Sequence, residues 1–176
     1  RLHTEISTLF YDVQLDPDSD ILVLTGAGRA FSAGGDFEQM KKANAGEAAN
    51  TTVIESKKMI FGLLDLEKPI IAKVNGHAMG LGATLALFCD VIFAAEHALI
   101  ADPHVSVGIV AGDGGAIIWP QLIGYARAKH YLMTGDTING KEAANIGLVN
   151  FALPAEELDQ AVDAYADKLA ARAQEA

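Results

Sequence analysis

Apolar and polar positions follow two different rhythms along this chain. Some stretches place an apolar residue at every third or fourth position, as residues 2–13 do with Leu2, Ile6 and Phe10, which is the pattern of one helix face. Between these stretches lie short continuous apolar runs, which are typical of buried parallel strands. The runs predict strands at 21–25, 69–74, 91–96, 98–103 and 148–153. The regular alternation of the two patterns predicts one α/β domain.

Helices are predicted around these strands from periodicity and from the residues that end them. The predicted segments are 1–13, 56–66, 75–90, 114–124, 125–135, 139–147 and 154–173. Pro120 lies inside one of them, and we expect a kink there because proline removes a helical hydrogen bond. The chain opens at Arg1 inside a helical pattern with no capping residue before it. We therefore expect the 1–176 core domain to be part of a longer protein.

Composition narrows the class of protein. The chain has 176 residues, of which 51% are hydrophobic and 20% charged, enough for one hydrophobic core, and it has no apolar run as long as a membrane span needs. A formal net charge of −10 disfavours binding to nucleic acid. The single cysteine, Cys89, excludes an internal disulfide and favours a cytoplasmic location. The spacing of histidines and acidic residues indicates no metal site.

Two glycine-rich loops share one design. GAGRAFSAGGD (26–36) follows the first predicted strand, and NGHAMGLG (75–82) follows the second. Small residues allow a ligand to approach the backbone, and the start of a helix leaves N–H groups unpaired. Two such loops side by side can direct two N–H groups at one oxygen, which is an oxyanion hole. Alternatively, each loop is only a tight turn; neither contains a complete dinucleotide fingerprint or a P-loop.

A third segment, DPHVSVGIVAGDGGA (102–116), carries candidate acid–base chemistry. His104 can act as a general base near neutral pH, and Asp113 can orient its imidazole by accepting a hydrogen bond. Other interpretations stay open. Asp113 can simply cap the following helix, and His104 can be structural. On a strand, Ser106 would share a face with His104, which would allow a Ser–His–Asp hydrolase.

Taken together, AFSAGGDFEQM, KPIIAKVNGHAMGLGATLALFCDVIFAAEHALIADP and KEAANIGLVN resemble the enoyl-CoA hydratase/isomerase (crotonase) superfamily over residues 21–149. The resemblance implies a ClpP/crotonase-like spiral of repeated β-β-α units, a homotrimer or dimer of trimers, and an acyl-CoA substrate. It also implies that an N-terminal sheet region and C-terminal helices lie outside residues 1–176. Coenzyme A would be part of the substrate, and no other cofactor, nucleic acid or membrane partner is implied.

The resemblance also assigns site residues. The thioester oxygen would accept N–H bonds from Ala33 and Leu81. Groups that would contact the coenzyme A portion are Arg29, Ala30, Gly35 and Gly80.

The chain departs from the family at the two glutamates that handle water in the hydratases. Thr84 stands at one of these positions and His104 at the other, while Leu81 interrupts a run of small residues. These differences favour hydrolysis or isomerisation over simple hydration of a 2-enoyl-CoA. A histidine and an aspartate also occur in the superfamily's β-diketone carbon–carbon hydrolases, which need no coenzyme A. We expect an enzyme that forms an enolate from an acyl-CoA, with His104 as base and Asp113 as its orienter; the alternatives are such a hydrolase or a non-catalytic subunit.

Overall fold

Two four-stranded sheets form the framework of residues 2–35 and 52–172, the part of the chain that the computed structural model describes. The strands are β1 (Leu22–Thr25), β2 (Ala30–Ser32), β3 (Ile70–Val74), β4 (His77–Met79), β5 (Val91–Ala95), β6 (Leu99–Ala101), β7 (Ile138–Asn139) and β8 (Phe151–Leu153). The helices are α1 (Leu2–Leu15), α2 (Thr52–Leu64), α3 (Leu81–Leu87), α4 (Gly115–Thr134), α5 (Gly140–Asn145) and α6 (Ala155–Ala170), with a 3-10 helix at Pro103–Val107. None of these helices is both long and apolar enough to cross a membrane.

Successive pairs of strands contribute one strand to each sheet. One sheet has the order β1-β3-β5-β8 and the other β2-β4-β6-β7. Every pairing is parallel except that of β6 with β7. The chain therefore winds in repeated turns, which confirms the predicted spiral of β-β-α units.

The turns between paired strands are locked to one another. Asn75, between β3 and β4, accepts a hydrogen bond from the Gly26 N–H (3.1 Å) and donates one to the Gly28 carbonyl (3.0 Å). A Cβ on Gly76 would overlap the Arg29 carbonyl, so only glycine permits this close approach. Each turn of the spiral thus fixes the position of the next.

The core lies between the sheets and the helices that cover them. Strand β3 is buried at four of its five positions, and in α3 all residues after Leu81 are buried. Trp119 and Met59 are fully buried. The continuous apolar runs in the sequence correspond to these central strands, since both of their faces are covered.

Two local features differ from the sequence predictions. Strands β2, β4 and β7 are not predicted from the sequence; β2 and β4 lie inside the glycine-rich segments, and β4 occupies the beginning of the predicted helix 75–90. The backbone keeps helical φ and ψ at Pro120, where a kink is expected, and the helical path breaks at Gly124, with φ 76° and ψ 159°, at the boundary of two predicted helices. A proline already has a helical φ, whereas this positive φ suits glycine.

Candidate active site

Four of the predicted site residues follow the carboxyl ends of three neighbouring strands: Ala33, Gly80, Leu81 and His104. Strands β2, β4 and β6 are parallel, and the chain leaves them at Ala33, Gly80 and Asp102. The loop after β2 lies against the end of β4, because a Cβ on Gly34 would be 3.4 Å from the Met79 carbonyl oxygen. Residues distant in sequence are therefore neighbours at one edge of the sheet, where open parallel sheets commonly bind ligands.

The second glycine-rich loop is held in place by its own backbone. Gly80 has φ 56° and ψ −125°, and its N–H donates to the Ala101 carbonyl (3.0 Å). Leu81 is the first residue of α3, so its N–H lies outside the helical hydrogen-bond ladder. A Cβ on Gly82 would overlap the side chain of Ser32, so glycine lets α3 begin directly against β2. This arrangement brings Leu81 close to the loop that carries Ala33.

His104 is bound by an aspartate that the sequence analysis did not select. The Asp102 carboxylate is 1% exposed, and its Oδ1 lies 2.5 Å from Nδ1 of His104 and also accepts the His104 N–H (3.4 Å). This bond favours the tautomer with its proton on Nδ1. A Cβ on Gly80 would lie 3.8 Å from His104 Nε2, so the second ring nitrogen is next to the glycine-rich loop.

Asp113 approaches the same imidazole from the other side. Its Oδ1 accepts hydrogen bonds from Thr84 Oγ1 (3.2 Å) and from the Gly115 N–H (3.2 Å). Its Oδ2 is 3.7 Å from His104 Nε2 and has no hydrogen-bond partner among the described residues. The pair is thus close, but the expected hydrogen bond from the His104 imidazole to Asp113 is not formed, and both donors to the carboxylate lie on Oδ1. The imidazole is hydrogen-bonded to Asp102 and not to Asp113. Asp113 accepts the Gly115 N–H in the first turn of α4.

The burial and charge of the cluster raise two pKa values. The hydrogen bond with Asp102 raises the pKa of His104 above its ordinary value of 6.5, against partial burial, and the charges of Asp102 and Asp113 act in the same direction as the bond. Burial raises the pKa of Asp113, which the nearby His104 and the N–H of Gly115 oppose. His104 therefore keeps its proton to a higher pH than an isolated histidine does, and Asp113 is protonated at a higher pH than an isolated aspartate is.

The rise in the pKa of His104 is directly measurable. We expect the imidazole Hε1 resonance to titrate with a midpoint above 6.5, because the hydrogen bond with Asp102 stabilises the imidazolium. Replacing Asp102 by asparagine should lower the midpoint, since the negative charge is removed. A two-dimensional ¹H–¹³C NMR titration checks both, with a His104→Gln variant to assign the signal. A wild-type midpoint at or below 6.5 would contradict the arrangement.

The remaining candidates lie as follows. Ser106 belongs to the 3-10 helix and not to a strand, so the shared face with His104 required for a Ser–His–Asp hydrolase does not exist. His77 is exposed, and its Nδ1 accepts the Leu99 N–H (3.1 Å). Arg29 and Ala30 lie at the start of β2, and Gly35 is half-buried beyond its end. Their contact with coenzyme A stays a prediction.

Asp102, His104 and Asp113 form a tighter group than spacing alone indicated. One nitrogen or oxygen atom from each lies within 4.8 Å of the others, a distance that also allows a metal ion. The sequence prediction of no metal site did not consider Asp102. Asp102 Oδ1 is hydrogen-bonded to the imidazole, whereas Asp102 Oδ2 is buried without a partner among the described residues.

A family profile and curated relatives match this chain. The family profile described as enoyl-CoA hydratase/isomerase matches residues 1–176. A crotonyl-CoA hydratase of Syntrophomonas wolfei is 40% identical over 172 residues, which is 97% of this chain and 65% of the relative. A short-chain-enoyl-CoA hydratase of Clostridium acetobutylicum is 37% identical over 164 residues, 91% of this chain and 62% of the relative. The chain thus spans less than two thirds of the length of these relatives.

Solved structures give the same likeness. The crystal structure of an enoyl-CoA hydratase/isomerase from Mycobacterium paratuberculosis superposes with a TM-score of 0.88 at 39% identity, over 99% of this chain and 70% of that one. A monofunctional enoyl CoA isomerase from M. smegmatis superposes with a TM-score of 0.81 at 29% identity, over 98% of this chain and 73% of that one. The proteins similar to this chain thus include some named as hydratases and one named as an isomerase.

Proposed function

Since the chain belongs to the enoyl-CoA hydratase/isomerase family, we propose that the full-length protein acts on an acyl-CoA thioester through an enolate stabilised by two N–H groups. Ala33 and Leu81 supply these N–H groups, and His104 transfers the proton. Each donor of this kind contributes about 3–4 kcal/mol to transition-state stabilisation. The names of the relatives support the substrate class.

The observation that carries the proposal is the placement of the imidazole. Asp102 Oδ1 lies 2.5 Å from Nδ1 of His104, and Nε2 lies beside Gly80. Gly80 precedes Leu81 in the sequence, whose N–H is a candidate donor. A neutral imidazole accepts a proton at Nε2, and Asp102 then stabilises the imidazolium, as in other Asp–His pairs. Asp102 therefore takes the role that the sequence suggested for Asp113.

Asp113 gives the site a second proton-transferring group. Its unpartnered Oδ2 is 3.7 Å from His104 Nε2. This oxygen is buried, so a water molecule or substrate hydroxyl group can bond to both atoms only after the side chains move apart. Hydration of a 2-enoyl-CoA stays among the candidates because relatives named as hydratases match the chain, although both usual glutamates are absent.

The same geometry favours a second candidate, the β-diketone carbon–carbon hydrolase. An Asp102–His104 pair suits base-assisted attack of water on a carbonyl carbon. The oxyanion hole would then hold the enolate that leaves. The two candidates differ in whether coenzyme A is required.

The experiment is turnover of crotonyl-CoA by the full-length protein, followed by mass spectrometry, beside cyclic and linear β-diketones. We expect water addition to the thioester, reduced at least about a hundredfold in His104→Gln because proton transfer is lost. His97→Gln is the matched control, since His97 is an exposed histidine outside the cluster. Cleavage of β-diketones without turnover of any thioester would replace the first candidate by the second. An unchanged rate in His104→Gln would remove His104 from both.

A further inference from the structure

Thr84 is a buried polar side chain whose hydroxyl group is hydrogen-bonded to Asp113 in the site. It is 0% exposed, and Asp102 is the other buried polar residue in the described ranges. A threonine within a helix commonly bonds its hydroxyl to the carbonyl four residues earlier. Here the Gly80 carbonyl accepts the ordinary backbone N–H of Thr84 (3.0 Å), and the hydroxyl lies 3.2 Å from Asp113 Oδ1.

The surroundings of Thr84 hold this hydroxyl in place. Its Cγ2 packs so closely against the loop before α4 that a Cβ on Gly114 would be 3.1 Å away. Gly114 has φ 124°, a conformation that residues with a side chain rarely adopt. Since the methyl group fills one side, the hydroxyl faces the carboxylate.

From this contact we propose that Thr84 is a positioning residue, which holds the Asp113 carboxylate so that its free oxygen faces His104. Two donors, Thr84 Oγ1 and the Gly115 N–H, bind Oδ1 from α3 and from α4. Oδ2 is thereby left toward Nε2. The inference rests on the proposed function in which Asp113 is a second proton-transferring group beside His104.

Charge gives Thr84 a second effect on the same carboxylate. The charged or titratable groups that face Asp113 are His104 in the 3-10 helix and Asp102 at the end of β6. A hydroxyl that donates to Asp113 stabilises its ionised form, against the burial that raises its pKa. Without the hydroxyl, Asp113 keeps one donor on Oδ1, becomes protonated at higher pH and is free to rotate.

The test uses the full-length protein with Thr84→Val, which keeps the shape and removes the hydroxyl. Thr84→Ser and Thr84→Ala form a second pair, which lack the methyl group and differ from each other only in the hydroxyl. Without substrate, the Asp113 carboxyl carbon is titrated by ¹³C NMR. We expect its midpoint to move to higher pH in the valine and alanine variants and to stay near wild type in serine.

Kinetics form the second arm, on whichever substrate the wild type turns over. We expect kcat to fall about tenfold in Thr84→Val, with KM nearly unchanged, the acid limb of the pH profile moved to higher pH, and activity restored in Thr84→Ser. An equal loss in the serine and alanine variants would mean that Thr84 acts through packing alone and would overturn the inference, as would an unmoved NMR midpoint. If the wild type turns over no substrate, the proposed function fails while the NMR arm still decides the role of Thr84.

Discussion

Replacing Asp102 by asparagine should lower kcat by about three orders of magnitude and leave the fold in place. The two side chains have the same shape, but the asparagine amide cannot favour the imidazolium, and its NH₂ group selects the wrong imidazole tautomer. An equivalent substitution in Asp–His pairs of serine proteases costs about 10⁴-fold. The carboxylate is 1% exposed and bonded to His104 at 2.5 Å, so no solvent group is available to replace it.

The chain offers a matched control for this prediction. Asp136 also lies near a histidine, at 3.5 Å from His130 Nε2, but both side chains are 58% exposed. Asp136→Asn should leave kcat within about twofold, because an exposed pair contributes little. Steady-state kinetics with circular dichroism of all three proteins check the result. If Asp102→Asn kept a tenth or more of wild-type kcat, Asp102 would not be the orienter.

Gly115→Ala should damage both stability and activity. A Cβ on Gly115 would overlap Asp102 Oδ2 and lie 3.2 Å from the Ala111 side chain. The start of α4 must then move away from the cluster, and overpacking of this kind costs about 1–3 kcal/mol in the free energy of unfolding. The same movement displaces the Gly115 N–H from Asp113, so we also expect kcat to fall.

Gly112→Ala is the control in the same loop. Its Cβ would meet Val110 at 3.6 Å, which is an ordinary van der Waals contact, and its φ is not positive. Urea denaturation should therefore give nearly the wild-type free energy of unfolding for Gly112→Ala and a clear loss for Gly115→Ala. Equal values for the two variants would mean that α4 tolerates the extra atom without moving.

The sequence predicted the elements whose patterns are long enough to be distinct. Strands β1, β3 and β5 appear as continuous apolar runs, and α6 as an amphipathic helix that begins after Pro154. Strands β2 and β4 do not show this pattern, since they lie inside glycine-rich segments without a continuous apolar run, and pairing with neighbouring strands stabilises them. The break at Gly124 falls on the predicted boundary between segments 114–124 and 125–135.

The sequence predicted two residues of the site but not the hydrogen bonds between the site residues. His104 and Asp113 were selected from residue type and position, and they lie 3.7 Å apart. Asp102 was overlooked because an aspartate before a proline also marks an ordinary turn. An available signal was that such an aspartate accepts an N–H two residues ahead, which here is that of His104. Its burial depends on the approach of Gly115, which no local pattern reveals.

The winding of the chain determines when the site can appear during folding. Strands β2, β4 and β6 come from successive turns of the spiral, and Asp113 follows only after the third. Joining such distant segments requires loop closure before any contact compensates for the lost chain entropy. An intermediate with two stacked turns would already contain both glycine-rich loops, yet it would lack the imidazole and both carboxylates. Catalytic activity should therefore return late in refolding, after most of the secondary structure has formed.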